Sequence, residues 1–320
     1  MRTAVQDVSV RGCGRLPGVV SDLHEMLTQL RAAPARERHQ MLWKFPDQSD
    51  TRDTLRAVRR HGPGRLRLAA LDALMYLGGE AALDAVDVAA AERLIRIRRL
   101  TDPVGPVMSC WTYWWCIRSG DQAGIMATLG LTDSRPVTYN LACTVVDLIE
   151  HMDEPPGLVY VGPEINGWTP VVGDWCDAFG DRAFEVRTTI EQLSVEYGEA
   201  HAFYFGAQGD GSAWLVAQDG VTTRRYSSVD PEESTGEPLP IERDWMLARG
   251  VPGRPEDHVA DDDEFADAMW EFCEANDVAA AISVDIGWHR PLDAVVHGYP
   301  VLAAVPEAAP ITLPPGVYEI

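Results

Sequence analysis

The chain has 320 residues, 46% hydrophobic and 24% charged, with a formal net charge of −22 at pH 7. That is enough apolar material for a core, spread over about two domains at roughly 100–200 residues each, and it excludes bulk disorder. Residues 1–100 carry 17 Lys and Arg against 12 Asp and Glu, whereas residues 101–320 carry 10 against 37, so the larger part repels phosphate backbones and is a poor match for nucleic acid.

Residues 1–18 hold no apolar stretch of signal-peptide type and read as a flexible leader, broken by Gly12-Cys13-Gly14 and Pro17-Gly18. No apolar run reaches the roughly 18–20 residues that span a bilayer, so no membrane association is expected. The six cysteines, at 13, 110, 116, 143, 176 and 273, form no Cys-x-x-Cys pair. Irregular spacing predicts neither a zinc site nor a disulfide framework, and points to a reduced, cytoplasmic protein without a cofactor.

Residues 19–101 follow a helical period and predict a helical domain. Ser21 caps a first helix with Leu23, Met26, Leu27 and Leu30 on one side. Pro34 opens a second, which Pro46 ends, and a third runs from Thr51 to His61 up to Gly62-Pro63-Gly64. A fourth spans Arg65 to Leu77 with its stop at Gly78-Gly79, and a fifth runs from Val88 to Leu100. Arg56, Arg59, Arg60, Arg65 and Arg67 make the densest basic cluster; with few aromatics nearby for base stacking, they read as solvated helix ends. The stretch from Arg65 to Leu83, with its Ala69-Ala70 pair, Leu-rich face, Leu77-Gly78 stop and apolar restart, resembles one HEAT-type helical repeat. That resemblance implies a surface for protein partners. Since three such repeats are needed for a continuous core, a short helical bundle or HEAT-like helices is the expectation.

Asp102-Pro103-Val104-Gly105-Pro106 reads as the linker, and residues 107–320 as an acidic α+β domain. Val107 to Ile117 alternates with aromatic residues and predicts a strand covered on both faces. Helices follow at Asp121–Leu129 and Tyr139–His151. Asn166-Gly167 and Asp219-Gly220 predict hairpins, with strands at 158–161 and 168–172, then at 213–217 and 221–226. A helix at Phe184–Tyr197 and a strand at His201–Phe205 lie between them. Residues 228–262 read as a long polar loop, followed by a helix capped by Asp261 or Asp262, a strand at Ala279–Ile286 and a last pairing near Tyr299–Val305. The fold class is α+β: helices first, then a mostly antiparallel sheet with helices on one side.

Asn166-Gly167-Trp168 and Ala213-Trp214-Leu215, following an N-terminal helical region, resemble a family of uncharacterised actinobacterial proteins with HEAT-like helices and a C-terminal α+β domain. Lys44 is the single lysine among 27 basic residues, a bias of GC-rich coding. The resemblance implies a fold and carries no activity.

Six of the ten tryptophans fall between Trp111 and Trp214. Core packing accounts for most of them; Trp168, Trp175 and Trp214 are the candidate binding residues, with Trp168 and Trp175 expected to be exposed. Asp174, Asp177 and Asp181 share one Gly-bounded loop, and 261–264 is an acidic run suited to helix capping rather than to a metal. No His-Glu-x-x-His, Gly-x-Ser-x-Gly or Walker pattern is present, and Gly209-Asp210-Gly211-Ser212 reads as a turn. Two functional readings follow. The first is a protein-interaction or immunity-like module whose acidic C-terminal domain engages a basic protein partner. The alternative is an enzyme with a Trp-lined pocket, His201 paired with Asp174 or Asp177 as acid and base, or a small-ligand sensor.

Overall fold

The computed structural model describes residues 17–152, 157–207, 210–251, 253–257, 274–287 and 294–317. Residues 1–16 of the expected leader and the acidic run at 261–264 with the helix after it lie outside these residues; Pro17 and Gly18 open the first helix, ahead of the cap expected at Ser21. Two compact units emerge: one up to Asp87 that takes in the C-terminal segment from Pro314, and one from Val88 to Leu313. The division falls within a helix, and residues 102–106 belong to the second unit.

In the first unit, α1 (Pro17–Ala32), α2 (Ala35–Leu42), α3 (Ser49–His61) and α4 (Arg67–Gly78) pack around α4. Its Ala69, Ala70, Leu71, Ala73, Leu74 and Met75 are all buried, because small residues between the leucines let neighbours approach on several sides. Leu27 and Leu30 of α1 and Leu55 and Val58 of α3 complete this core. The basic cluster is largely neutralised: Arg56 pairs with Asp53 at 3.0 Å, Arg59 with Asp87 at 2.6 Å and Arg60 with Asp84 at 2.9 Å. α5 (Ala85–Arg98) leads into the second unit.

The second unit is built on a nine-stranded sheet among the described residues, every neighbouring pair antiparallel. In chain order its strands are β1 (Trp111–Ile117), β2 (Thr132–Pro136), β3 (Leu158–Val161), β5 (Thr169–Val172), β6 (Glu199–Gly206), β7 (Ser212–Gln218), β8 (Val221–Ser227), β9 (Thr235–Gly236) and β11 (Val301–Ala304); β4 (Glu164–Ile165) and β10 (Val296–His297) pair separately. The spatial order is β2-β11-β3-β5-β1-β6-β7-β8-β9, which puts the aromatic β1 at the centre.

Alternation along the strands divides the sheet into two faces. On one face Trp115, Ile117, Val171, Ala202 and Leu215 form a core with α6 (Gln122–Thr128) and α8 (Ala183–Tyr197). The α+β class with a mostly antiparallel sheet is as expected, but helices lie on both sides of it, since α9 (Pro240–Ala248) and α10 (Ala275–Ile282) cover the other face. There Trp114 stacks on Phe203 and Trp214 on Tyr226, and Cys116 Sγ donates to the Val284 carbonyl at 3.5 Å. α7 (Tyr139–Glu150), capped by Thr138, packs on β3. No helix among the described residues is long and apolar enough to cross a membrane.

Three differences from the sequence reading have local causes. The segment at 228–262 contains α9, which starts with Pro240 at its first position and Glu242 reaching back to the Leu239 N–H; this is an N-terminal helix signal inside an otherwise polar stretch. The strand expected at Ala279–Ile286 is replaced by α10, where Glu274 N–H donates to Asp277 Oδ2 at 3.2 Å and an Ala-rich run follows. β2 escaped notice because Thr132-Asp133-Ser134-Arg135-Pro136 is polar and largely exposed, as an edge strand allows.

Candidate functional site

The structure does not assemble His201 with Asp174 or Asp177. β6 places His201 opposite Cys116 of β1 and Val216 of β7, on the pleat opposite Trp115. Asp174 begins a 3-10 turn, Asp174–Cys176, on the Trp115 side, where Trp115 Nε1 donates to the Cys176 carbonyl at 2.8 Å. His201 is 1% exposed, with its ring 4.7 Å from that of Trp168, and neither ring nitrogen has a hydrogen-bond partner. Burial, with a smaller contribution from Arg118, lowers its pKa to about 3, so it stays neutral. Burial likewise pushes the Cys116 thiol up to about 12. The candidate tryptophans also separate. Trp168 is buried rather than exposed, because it closes over His201. Trp214 is fully buried and donates from Nε1 to Glu242 Oε1 at 2.8 Å. Trp175 is half-buried and lines a pocket.

What does converge is a set of carboxylates and phenols around the first half of β1. Register sets Tyr113 opposite Tyr204, and their rings stack at 4.7 Å with 24° between planes. After β5 the chain turns at Gly173 (φ 147°), whose N–H donates to the Tyr113 carbonyl at 3.0 Å. That turn brings Asp174 and Trp175 beside Tyr113; a Cβ on Gly173 would lie 3.0 Å from the Leu158 carbonyl oxygen, so only glycine suits the position. Asp177 Oδ1 accepts from the Phe179 and Gly180 N–H groups at 2.8 and 3.0 Å, which fixes the loop. From the end of α7, Glu150 Oε2 accepts from Ser109 Oγ and from the Trp111 N–H, while Oε1 is buried with no hydrogen-bond partner. Trp111 Nε1 donates to Asp210.

A pocket of about 270 Å³ opens here, lined by Ile149, Gly157, Leu158, Asp174, Trp175 and Arg182. The guanidinium of Arg182 lies 5.1 Å from the Trp175 ring centroid, donates to the Trp175 carbonyl at 2.6 Å and pairs with Glu185 at 2.8 Å. Its ion pair is thus with Glu185, on its own side of the pocket, rather than with Asp174. Among the described residues, Glu150, Asp174 and Asp177 have no ion-pair partner. The consequence is electrostatic. Burial, then the neighbouring Asp174 and Asp147 charges, push the Glu150 carboxyl up to about 8. Burial and Asp177 raise Asp174, and burial followed by Asp177 raises the Tyr113 phenol. Burial, then Asp210, Asp177 and Glu150, raises Tyr204. Three carboxylates thus stand around one guanidinium, an excess of negative charge that favours a bound organic cation.

Sequence reasoning reached Asp174, Trp175 and Asp177 because they sit in one short loop. It missed Tyr113, Glu150 and Tyr204, which only strand register and the end of α7 bring to that loop. No group of three or more His, Cys, Asp or Glu side chains suited to holding a metal occurs among the described residues. No protein-family model, curated protein or solved structure matches the chain.

Proposed function

We propose that the protein is a binding module whose acidic C-terminal part engages a basic protein partner, with a Lys or Arg side chain of that partner entering the pocket at Asp174 and Trp175, near Glu150. The observation that carries the reading is the convergence of Glu150, Asp174 and Asp177, none of them in an ion pair among the described residues, beside a pocket whose Arg182 pairs with Glu185. A cation placed there offsets the burial that chiefly raises Glu150 and Asp174, and the smaller repulsion between neighbouring carboxylates. The excess of 37 acidic over 10 basic residues in 101–320 supports steering of such a partner from a distance. An immunity-like role, neutralising a basic toxin, is the concrete form we favour. The reading includes a cytoplasmic setting, which the free thiols of Cys110, Cys116, Cys143 and Cys176 support.

The test is a fluorescence titration, read on the tryptophans, with capped tri-lysine, tri-arginine and tri-glutamate peptides at low and high salt. The reading expects saturable binding of the cationic peptides, weakened by salt, and none of tri-glutamate. Equal response to all three peptides, or to none, would contradict it.

A second reading, acid–base catalysis in the same cleft, is favoured by one observation: a carboxyl held near 8 is a proton donor at neutral pH. In that case Glu150 would touch the reacting atoms, and the neutral variant Glu150→Gln would bind cationic peptide as before yet lose all turnover of a substrate.

A further inference from the structure

β8 carries a buried arginine that no catalytic or binding role described above uses. Arg224 is fully buried, on the same pleat as Tyr226 and over its ring at 5.4 Å. Its Nε donates to both oxygens of Glu242 at 3.1 Å, its Nη1 and Nη2 to Glu256 at 3.0 and 2.9 Å, and Nη1 also to the Gly236 carbonyl at 3.3 Å. Those three acceptors belong to three successive pieces of chain: β9, α9 and the 3-10 turn Pro255–Asp257. Arg254 adds a second tie, to the Gly236 carbonyl at 2.7 Å and to Glu237 at 3.1 Å.

We infer that β9, α9 and the turn at Pro255–Asp257 form a strap that closes over the outer end of the sheet as one unit, with the Arg224 guanidinium as its lock. Three features make the unit separable from the sheet. The apolar residues it buries are few, with Pro238, Met246 and Pro255 inside and Leu247 80% exposed. Its strand is only the pair Thr235–Gly236, so the ladder to β8 is short. Its carboxylate Glu242 is fully buried and satisfied solely by the sheet and the strap's own start, through Arg224, Trp214 Nε1 and the Leu239 N–H. Breaking a buried pair leaves an uncompensated charge, so the pieces release together rather than one by one. Release uncovers the Trp214–Tyr226 stack and the edge of β8, which is otherwise shielded.

Gly236 gives an independent handle. It has φ 82°, and a Cβ there would collide with the Thr223 carbonyl, so Gly236→Ala pushes β9 off β8 without altering any charge. Hydrogen–deuterium exchange on the full-length chain tests the inference with Gly236→Ala, Arg224→Met and Glu256→Gln. Both Gly236→Ala and Arg224→Met are expected to speed amide exchange across α9 at least ten-fold, with β6 and α8 unchanged, and Glu256→Gln to give a smaller acceleration in the same place. Acceleration confined to residues 235–237 in Gly236→Ala would show that the pieces move independently and overturn the inference. So would Arg224→Met exchange that rises equally in β6, α8 and α9, since Arg224 would then hold the whole unit. If Arg224→Met does not fold, the other two variants decide: no change across α9 in either one overturns the inference.

Discussion

His201 sits on the covered face of β6 with both ring nitrogens unpaired, facing Cys116, Val216, Phe203 and the Trp168 ring, and the Arg118 charge adds to the effect of burial. Its pKa is about 3 in the folded chain against 6.5 when exposed. A depressed histidine contributes stability that is complete above pH 6.5 and is lost as pH falls from there toward 3. At 1.36 kcal/mol per pKa unit the loss is on the order of 5 kcal/mol. His201→Leu, a similar volume that cannot titrate, is therefore expected to flatten the acid side of a urea-unfolding profile by about that amount. Parallel profiles for the two proteins would show that His201 charges without cost. Trp214 makes a second residue-scale case. Trp214→Phe keeps the stack on Tyr226 but deprives buried Glu242 of one donor, and about 1–3 kcal/mol of destabilisation is expected in the same assay.

At the scale of elements, local signals and long-range ones had different fates. α7 was readable because Leu141, Val145, Leu148 and Ile149 recur on one side; its cap is added by the structure, where the Thr138 hydroxyl accepts from the Leu141 N–H at 3.2 Å. Thr138→Ala should cost about 1 kcal/mol, measured by thermal unfolding, and an unchanged midpoint would mean that the cap is solvated equally well by water. The hairpin turns at Asn166-Gly167 and Asp219-Gly220 were equally plain, since all four residues adopt positive φ. By contrast, β2 owes its existence to β11, a partner more than 160 residues away, and its own polar residues carry no strand period. α10 hid behind the apolar run Val278 to Ile282, which periodicity alone cannot assign to helix or strand. The site divides in the same way. The loop supplying Asp174, Trp175 and Asp177 is contiguous in the sequence. Tyr113 and Tyr204 meet through β1–β6 register, and Glu150 arrives from the end of another helix. Register depends on the whole sheet closing, so no local pattern announces that meeting.

Across the whole molecule, the excess of acidic residues does two jobs that experiment can separate. Distributed charge steers a basic partner and is screened within a Debye length of about 8 Å at physiological salt. The carboxylates in the cleft act at contact and answer to pH. With Glu150 at about 8, its ionised fraction rises from about one tenth at pH 7 to about nine tenths at pH 9, while a lysine side chain remains charged. Affinity for a cationic peptide should therefore rise between those values in the wild type and stay level in Glu150→Gln; a level wild-type profile would remove Glu150 from the binding surface. The most direct measurement compares two double variants of identical net charge by calorimetric titration with tri-lysine. Asp174→Asn with Asp177→Asn removes two of the three carboxylates at the cleft, whereas Asp219→Asn with Glu196→Gln removes the same charge at the opposite end of the strands. At least ten-fold weaker binding is expected in the first variant and near wild-type binding in the second. Equal losses in both would mean that the peptide reads only the net charge of the molecule, and the cleft would not be its binding site.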